Sequence, residues 1–245
     1  MEQVALSIVT ICFNAEDTIS RCLESVSQLN QKAVQYIVVD GGSTDATLDI
    51  LREYEHCIDI LVSEADDGIY DAWNKGVRLS KGRFILFLNA DDWLPSEAFS
   101  EFSLSALDST KIYIGKTMLF DGDRKVREVD GGFNLDTLHR GFNFLTPSVI
   151  FPRQSFSRVG DFDTSYAIAG DVDWLIRAAL KSFQFDRLDH VVNMSLGGVS
   201  NTRLFRSLEE YNRALRRNGL YGVKARIWAL RKFTGLLLRR MVSHL

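Results

Sequence analysis

The first hundred residues alternate between segments typical of buried strands and segments typical of helices. Four runs rich in apolar and β-branched residues read as strands, and helix-compatible stretches separate them. Because strands joined through helices pair in the same direction, the alternation predicts a parallel sheet with right-handed crossovers. The predicted strands span residues 5–13, 34–40, 58–63 and 83–89, and the predicted helices span 16–29, a stretch ending near Tyr54, and 67–80.

The pattern changes after about residue 109. A strand over 111–115, a hairpin around Gly122, a loop with a short helix over 131–143, and a strand over 148–151 are predicted in that order. A helix over 170–180 and two strand-like runs follow. The expected fold class is therefore α/β, with a mostly parallel sheet flanked by helices.

Composition excludes several classes of protein. The chain contains no run of about 18 uncharged apolar residues, so a membrane-spanning helix is not expected. The N-terminal residues lack the basic-then-apolar pattern of a secretory signal. Cys12, Cys22 and Cys57 are an odd, unpatterned set, which indicates reduced thiols in a cytoplasmic protein.

Polar side chains follow the predicted strands at the point where each strand ends. Asp40 closes the second strand, Asp67 follows the third, and Asn89, Asp91 and Asp92 close the fourth. Open α/β sheets bind ligands at this edge, and carboxylate oxygens there suit hard divalent cations and the phosphates they carry. The alternative is a set of turns and helix caps, which the residue type favours for Asp40 taken by itself.

Two common nucleotide-binding motifs are missing from the sequence. No Gly-x-Gly-x-x-Gly follows the first strand, and no Gly-Lys-Ser/Thr loop occurs. A Rossmann dinucleotide site and a P-loop are therefore not supported.

An ordered set of motifs resembles the nucleotide-sugar domain of family 2 glycosyltransferases, which has the GT-A fold. The resemblance covers about residues 5–201 and leaves the C-terminal tail outside. Each motif is weak alone, but their order and spacing are specific. The segments are Ser7–Asn14, Ile37–Asp45, Glu64–Gly76, Phe87–Asp92, Gly160–Asp163, Gly170–Asp173 and Gly197–Asn201.

The resemblance implies transfer of a sugar, with inversion, from a nucleoside-diphosphate sugar to an acceptor hydroxyl. Thr10 and Phe13 would line the nucleotide pocket. Asp40 would accept a hydrogen bond from the base imide, which favours UDP or dTDP donors. Asp67 would lie near the nucleotide, and Lys75 would supply positive charge there.

A metal site is implied at Asn89-Ala90-Asp91-Asp92, where the donor diphosphate would also bind. Asp91 would ligate Mn²⁺ or Mg²⁺, with Asp92 in support, and the metal would neutralise charge on the departing diphosphate. The family pattern is Asp-x-Asp, but its first position here is Asn89. An amide oxygen can ligate a metal or bind a ribose hydroxyl, but it carries no charge.

The catalytic base is implied at the start of the predicted 170–180 helix. In the family it is the Asp of a Glu-Asp pair; here the pair reads Gly170-Asp171, so Asp171 takes the base role and the Glu is missing. Asp173 is the second candidate, although it faces elsewhere on a helix. The structural alternative for Asp171 is an N-terminal helix cap.

Other residues near the motifs are interpreted as structural. Trp73 and Trp93 are predicted to belong to the core rather than to form sugar platforms. His139 and His190 show no metal-ligand spacing and are predicted to lie in loops or at the surface.

The C-terminal tail is basic while the body before it is acidic. Residues from 202 onward carry a net charge of about +9, against about −12 for the first 201 residues. Apolar residues recur three or four apart along one helix face: Ile227, Leu230, Phe233, Leu237 and Met241. Such a helix fits an anionic membrane surface, or alternatively packs on the acidic body. Nucleic acid is not expected, because no recognition motif accompanies the charge.

The predicted organisation is a GT-A domain over 1–201, with a nucleotide-sugar-binding half (1–108) and an acceptor-binding half (109–201), followed by an amphipathic helical tail over 202–245. The expected enzyme is a metal-dependent hexosyltransferase of surface polysaccharide or glycolipid assembly. Its acceptor would be a saccharide or a lipid-linked molecule. It would be cytoplasmic, with a peripheral position on the inner face of the cell membrane if the tail binds lipid.

Two alternatives stay open. Asn89 and Gly170 fit a catalytically inactive relative that still binds nucleotide sugars. A nucleotidyltransferase also combines an α/β sheet with metal-binding acids, but it would carry a Gly-rich, basic loop after the first strand. The segment Asn14–Asp17 is neither.

Overall fold

A computed structural model describes residues 4–29, 33–99, 104–197 and 203–242. Within these residues, eight strands form one mixed sheet in the order β3-β2-β1-β4-β7-β5-β6, and β8 pairs with β5. The strands are β1 Leu6–Cys12, β2 Val34–Asp40, β3 Ile60–Ser63, β4 Phe84–Asn89, β5 Lys111–Asp121, β6 Arg124–Val129, β7 Val149–Pro152 and β8 Gln184–Ser195.

Helices cover the sheet and extend beyond it at the C-terminal end. They are α1 Ile19–Ser27, α2 Thr47–Glu53, α3 Ile69–Leu79, α4 Arg153–Val159, α5 Gly170–Leu180, α6 Leu204–Arg217 and α7 Val223–Val242. Short 3₁₀ turns lie at Glu55–Cys57, Leu104–Ala106, Leu135–Arg140 and Thr146–Ser148.

The first half of the chain forms the parallel part of the sheet. β1 pairs in parallel with both β2 and β4, and β2 pairs in parallel with β3, which confirms the parallel pairing predicted for these strands. The register places Cys12 beside Asp40 and Ile11 beside Asn89, so the carboxyl ends of these strands share one edge. In the second half, β7 is antiparallel to β4, and β5 is antiparallel to β6 and β7 but parallel to β8.

The core lies on both faces of the sheet because successive side chains of a buried strand point to opposite sides. On β4, Ile85 and Phe87 join one hydrophobic cluster, while Leu86 joins the cluster on the other face. The first cluster is strongly aromatic, and Trp73 stacks on Phe87 at 4.5 Å between ring centroids. Trp73 and Trp93 are both buried, as predicted.

Two helices begin later than the sequence pattern predicts. Asn14 adopts the left-handed conformation (φ 48°), and its side-chain oxygen accepts the Thr44 N–H at 2.9 Å. Residues before Ile19 are therefore held in a turn against the loop after β2, and α1 starts only there. Similarly, α3 starts at Ile69, because Gly68 at its N-cap has φ 109°.

The two strand-like runs predicted after residue 180 are in fact one long strand, β8. Its pairing with β5 shifts register between Ile114 and Lys116, where β8 accommodates extra residues including His190. The prediction that His190 lies in a loop or at the surface is wrong, because its side chain is buried. The neighbouring Gly115 makes this possible, since a Cβ there would come within 2.4 Å of the imidazole ring.

The predicted tail forms α6 and α7. α6 packs against α5, and α7 packs against α6 and the Leu135–Arg140 turn. Helix α7 turns Ala225 and Trp228 toward the body, while Ile227 and Leu230 are 50% and 65% exposed. The apolar stripe predicted on this helix is therefore not its packed face; the side chains of Leu237 and Met241 lie outside the described residues. None of the helices described has both the length and the apolar character needed to cross a membrane.

Candidate active site

A cleft of about 990 Å³ opens at the carboxyl ends of β1 and β4. One wall comes from the end of β1, the turn before α3 and the end of β4. The opposite wall comes from residues 141–147, residues 164–172 and the start of α6. Among the predicted site residues, those that line the cleft are Phe13, Asp67, Asn89, Ala90, Asp91 and Asp171. Five others lie outside its lining: Thr10, Asp40, Lys75, Asp92 and Asp173.

Thr10 points into the core instead of the cleft. It is fully buried on β1, accepts a hydrogen bond from the Tyr36 hydroxyl at 3.1 Å, and contacts the Cys22 Sγ at 3.6 Å. The strand alternation explains the difference, because Thr10 and the cleft-lining Ile11 face opposite sides of β1.

Asp40 is a fully buried carboxylate that organises the turn after β2. It accepts hydrogen bonds from the Ser43 N–H and hydroxyl, at 3.1 and 2.5 Å, and from the Ser63 hydroxyl at 2.7 Å. The Gly42 N–H also donates to it at 3.2 Å. These contacts match the turn-and-cap interpretation, and they occupy the oxygens that would have to accept from a nucleotide base.

Lys75 is engaged away from the cleft. Its Nζ forms ion pairs with Glu64 at 3.0 Å and Asp71 at 3.5 Å, and donates to the Ala65 carbonyl at 3.1 Å. The predicted positive charge at the nucleotide is therefore already paired within the protein.

Asp91 and Asp92 are adjacent in sequence but have different surroundings. Asp91 faces the cleft, and burial raises the pKa of its carboxyl. Asp92 is 1% exposed and joins β4 to β8, accepting the Ser195 N–H at 3.2 Å and the Asn89 Nδ2 at 3.2 Å. Burial, and then the charge of Asp91, raise the pKa of Asp92 well above its usual range.

The residues at this edge offer one charged ligand to a metal rather than a closed cage. No group of three or more His, Cys, Asp and Glu side chains in the described part of the chain is arranged to hold a metal ion. Asp91 nevertheless presents a partly buried carboxylate with no ion-pair partner among the described residues, and Asn89 also lines the cleft. An open site that shares its cation with a bound diphosphate fits such a donor set.

Asp171 lies in the first turn of α5 and lines the cleft. Its carboxylate accepts hydrogen bonds from the Thr146 hydroxyl at 2.5 Å, the Tyr70 hydroxyl at 3.0 Å and the Val172 N–H at 2.9 Å. Burial raises the pKa of Asp171, and these hydrogen bonds only partly offset that effect. The helix cap position belongs to Ala169, so Asp171 is not the N-cap of α5.

Asp173 points away from the cleft into a polar cluster. It is 3% exposed and pairs with Arg177 Nε at 2.8 Å, and it accepts the Asn218 Nδ2 at 2.9 Å. Its helical spacing from Asp171 places the two carboxylates on different faces, as the sequence predicted.

Two residues that the sequence interpretation missed hold Asp171 in place: Tyr70 and Thr146. The Tyr70 ring packs on the start of α5, where a Cβ at Gly170 would come within 2.8 Å of it. A glutamate at position 170, as in the family pair, would therefore displace Tyr70. The missing Glu was a usable signal, since it implies that another side chain occupies its space.

Helix α6 also contributes to the cleft, which the sequence interpretation did not anticipate. Its contributing residues are Arg206, Ser207 and Tyr211, and Arg203 lies just before it. The Tyr211 hydroxyl donates to the Leu138 carbonyl at 2.5 Å and so ties the helix to the Leu135–Arg140 turn. The predicted boundary at residue 201 lies outside the described residues and stays a prediction.

The family model described as Glycosyl transferase family 2 matches residues 7–162. The matched segment includes the wall that carries Asp91 and ends before Asp171. A PGL/p-HBAD biosynthesis glycosyltransferase of Mycobacterium bovis is 30% identical over 97% of this chain and 94% of its own length. These findings do not favour the nucleotidyltransferase alternative.

Solved structures share the architecture at low identity. The crystal structure of S. aureus TarS 1-349 in complex with UDP-GlcNAc has a TM-score of 0.67 and 18% identity, covering 87% of this chain and 65% of that one. The mannosyltransferase PcManGT from Pyrobaculum calidifontis, in complex with GDP-Man and Mn²⁺, has a TM-score of 0.67 and 16% identity, covering 99% and 76%. These likenesses confirm the GT-A-like α/β fold.

Proposed function

The chain belongs to glycosyl transferase family 2, and from that premise we propose that it transfers a sugar, with inversion, from a nucleoside-diphosphate sugar to an acceptor hydroxyl. One observation carries the proposal: Asp91 and Asp171 line the same cleft from different elements, and neither carboxylate has an ion-pair partner among the described residues. One carboxylate suits the leaving diphosphate and its cation, and the other suits the attacking hydroxyl.

Asp171 would act as the general base. An acceptor hydroxyl within hydrogen-bond reach would lose its proton to Asp171 as its oxygen bonds to the anomeric carbon and the bond to the diphosphate breaks. The hydroxyls of Thr146 and Tyr70 fix the carboxylate, and its raised pKa makes it a better proton acceptor than an ordinary aspartate.

Asp91, with the amide oxygen of Asn89, would hold Mn²⁺ or Mg²⁺ at the donor diphosphate. Bound there, the cation would neutralise charge that develops on the leaving group. Asp92 would act indirectly, because its hydrogen bond to Asn89 orients that side chain.

The donor nucleotide would occupy the wall formed by Phe13 and Asp67. Phe13 is 62% exposed and lines the cleft, and its ring suits stacking on a base. Asp40 could accept from a base imide only by giving up hydrogen bonds from Ser43 or Ser63, so its geometry does not support a choice of UDP or dTDP over GDP. The two solved structures bind UDP-GlcNAc and GDP-Man, and both belong in a donor screen.

Turnover by the variant Asp171→Asn tests the proposal. We expect it to fold and to bind donor, and to lose activity by on the order of 10²- to 10⁴-fold, since that is what a positioned base contributes. The measurement is release of nucleoside diphosphate across a panel of nucleotide sugars and acceptors with Mn²⁺. The matched control is Asp161→Asn, an exposed acid outside the cleft lining. Activity near the wild-type level in Asp171→Asn would place the base elsewhere, and inactivity of the wild type across the panel would favour the inactive relative.

The acceptor would be a saccharide or lipid-linked molecule of surface polysaccharide or glycolipid assembly, reached from the cytoplasmic face of a membrane. Support comes from the exposed stripe of Ile227, Leu230 and Phe233 on α7, which basic residues such as Arg226 and Arg231 flank. The M. bovis relative is also named for a biosynthetic role, as a PGL/p-HBAD biosynthesis glycosyltransferase.

Sedimentation with anionic vesicles tests the membrane proposal. Wild-type protein should bind vesicles containing phosphatidylglycerol, and should bind less at high salt. Leu230→Glu should weaken binding at least about fivefold. The substitution removes apolar surface that the lipid would bury, and its negative charge repels anionic lipid. Val126→Glu on β6, a similar change at a 41% exposed position, is the control. Equal loss in both variants, or no binding by the wild type, would contradict the proposal.

A further inference from the structure

Glu210 on α6 is a buried carboxylate that binds a stretch of backbone next to the active site. It is 6% exposed and accepts hydrogen bonds from the N–H groups of Ala167, Ile168 and Ala169, at 3.0, 2.7 and 3.1 Å. Arg206 Nε pairs with its other oxygen at 3.1 Å. Burial by itself would raise the pKa of Glu210, but the three N–H groups and Arg206 more than offset this, so its pKa lies below the usual range.

The backbone that Glu210 binds leads directly to Asp171. Ala169 is the N-cap of α5 and has no side chain that can cap the helix. The carbonyl of Ile168 accepts the Tyr70 hydroxyl at 2.6 Å, and the same hydroxyl contacts the Asp171 carboxylate at 3.0 Å. Glu210 therefore fixes one of the two groups that set the position of the Tyr70 hydroxyl.

We propose that Glu210 is a positioning residue for the transfer reaction, acting through residues 167–169 and Tyr70 to hold Asp171 at the acceptor hydroxyl. This inference rests on the proposed role of Asp171 as the base. It assigns to α6, which lies beyond the segment matched by the family model, a part in the catalytic geometry.

Packing of α6 alone does not require a carboxylate at this position. Helix α6 already buries Tyr211, Ala214 and Leu215 against the body. Burying a charged group is unfavourable unless it is hydrogen-bonded, and three successive backbone donors together with Arg206 supply that compensation. The carboxylate thus adds a fixed backbone geometry next to Asp171, which an apolar residue at 210 would not provide.

The test compares Glu210→Gln with Glu209→Gln in the full chain. Glu209 is the exposed neighbour on the same helix, so the two variants make the same chemical change at adjacent positions. Glu210→Gln is expected to lower kcat by on the order of ten- to a hundredfold, because a small displacement of a catalytic group is costly, and to leave the KM for donor unchanged. Glu209→Gln should match the wild type in both.

The pH profile of kcat separates positioning from a general loss of stability. The hydrogen bond from Tyr70 lowers the pKa of Asp171, so its loss in Tyr70→Phe raises that pKa and moves the acidic limb of the profile to higher pH. Glu210→Gln should also shift the limb, because the single proton of the Tyr70 hydroxyl is shared between the Ile168 carbonyl and Asp171, and a displaced carbonyl changes that sharing. The double variant should shift it no further than Tyr70→Phe alone, because both changes act through one hydroxyl.

Several outcomes would overturn the inference. One is a Glu210→Gln profile that overlays the Glu209→Gln profile; another is additive shifts in the double variant. If Glu210→Gln does not fold, Glu210→Asp keeps the charge, shortens the reach and should give the same shift, so an unshifted profile there also counts against it. If Asp171→Asn retains turnover, the proposed base and this inference fail together, whereas an essential Asp171 with no effect at Glu210 removes the inference alone.

Discussion

The end of β4 and the start of α5 each carry two acids close in sequence, and the structure separates the members of both pairs in the same way. Asp91 and Asp171 line the cleft with raised pKa values and no ion-pair partner among the described residues. Asp92 and Asp173 are 1% and 3% exposed and hold the protein together. Each pair therefore consists of one acid available to a ligand and one committed to the fold.

The two buried acids, Asp92 and Asp173, differ in the partners that compensate their charge. Asp173 keeps a cationic partner, Arg177, at 2.8 Å. Asp92 has hydrogen-bond donors, Ser195 N–H and Asn89 Nδ2, and burial with the charge of Asp91 raises its pKa. The difference indicates that the β4 edge concentrates negative potential, which suits a cation, while the α5 start isolates one carboxylate, which suits proton transfer.

The largest expected effect on donor binding concerns the β4 pair. Mn²⁺ should raise the affinity of the wild type for the donor. In Asp91→Asn that increase should be smaller by on the order of tenfold or more, because the variant lacks the charged metal ligand. Asp92→Asn should keep most of that increase, because Asp92 does not line the cleft. Calorimetry of UDP-GlcNAc and GDP-mannose binding, with Mn²⁺ and with chelator, measures both.

A reversed pattern would break the comparison at this edge. If Mn²⁺ no longer raised donor affinity in Asp92→Asn but still did so in Asp91→Asn, the buried Asp92 would be the metal ligand and Asp91 would not. Equal affinities with Mn²⁺ and chelator in the wild type would remove the metal site altogether.

The sequence predicted the parallel half of the fold well because local signals and tertiary structure agree there. The predicted bounds of β2 match the structure, and those of α5 match as well. Prediction was weaker where contacts between distant segments decide the conformation. β8 was split in two because its bulge around His190 depends on Gly115 of another strand.

The site was predictable in its motifs but not in the orientation of its side chains. Strand alternation places Thr10 and Ile11 on opposite sides of β1, but the sequence does not show which side borders the cleft. It also does not show that Ser43 and Ser63 surround the buried Asp40. Tyr70 and Glu210 were missed because their roles depend on partners about 100 and 40 residues away in sequence. A sequence motif names the acids at a strand end, whereas the partners of each acid decide which one is free for a ligand.

In the α5 pair, stability and activity should respond in opposite ways to the two substitutions, and the expected changes in stability are small. Asp173→Asn removes the partner of Arg177 and should destabilise the fold by about 2 kcal/mol, less than for a fully buried pair because Arg177 is partly exposed. For a chain of this length the melting temperature should fall by about 4–8 °C. Turnover of the folded protein should stay near the wild-type level, because Asp173 does not line the cleft.

Asp171→Asn should show the opposite behaviour. The pKa of Asp171 is raised in the folded state, so its contribution to stability is full below the unfolded pKa and is lost as pH rises through the folded pKa. At neutral pH the wild type therefore holds an unfavourable buried charge that asparagine lacks, and the variant should melt at the same temperature or higher while losing turnover. Melting curves at pH 5 and pH 8 measure this: the gap between variant and wild type should widen toward pH 8. A variant that melts lower at both values would mean that Asp171, like Asp173, is held there for the fold.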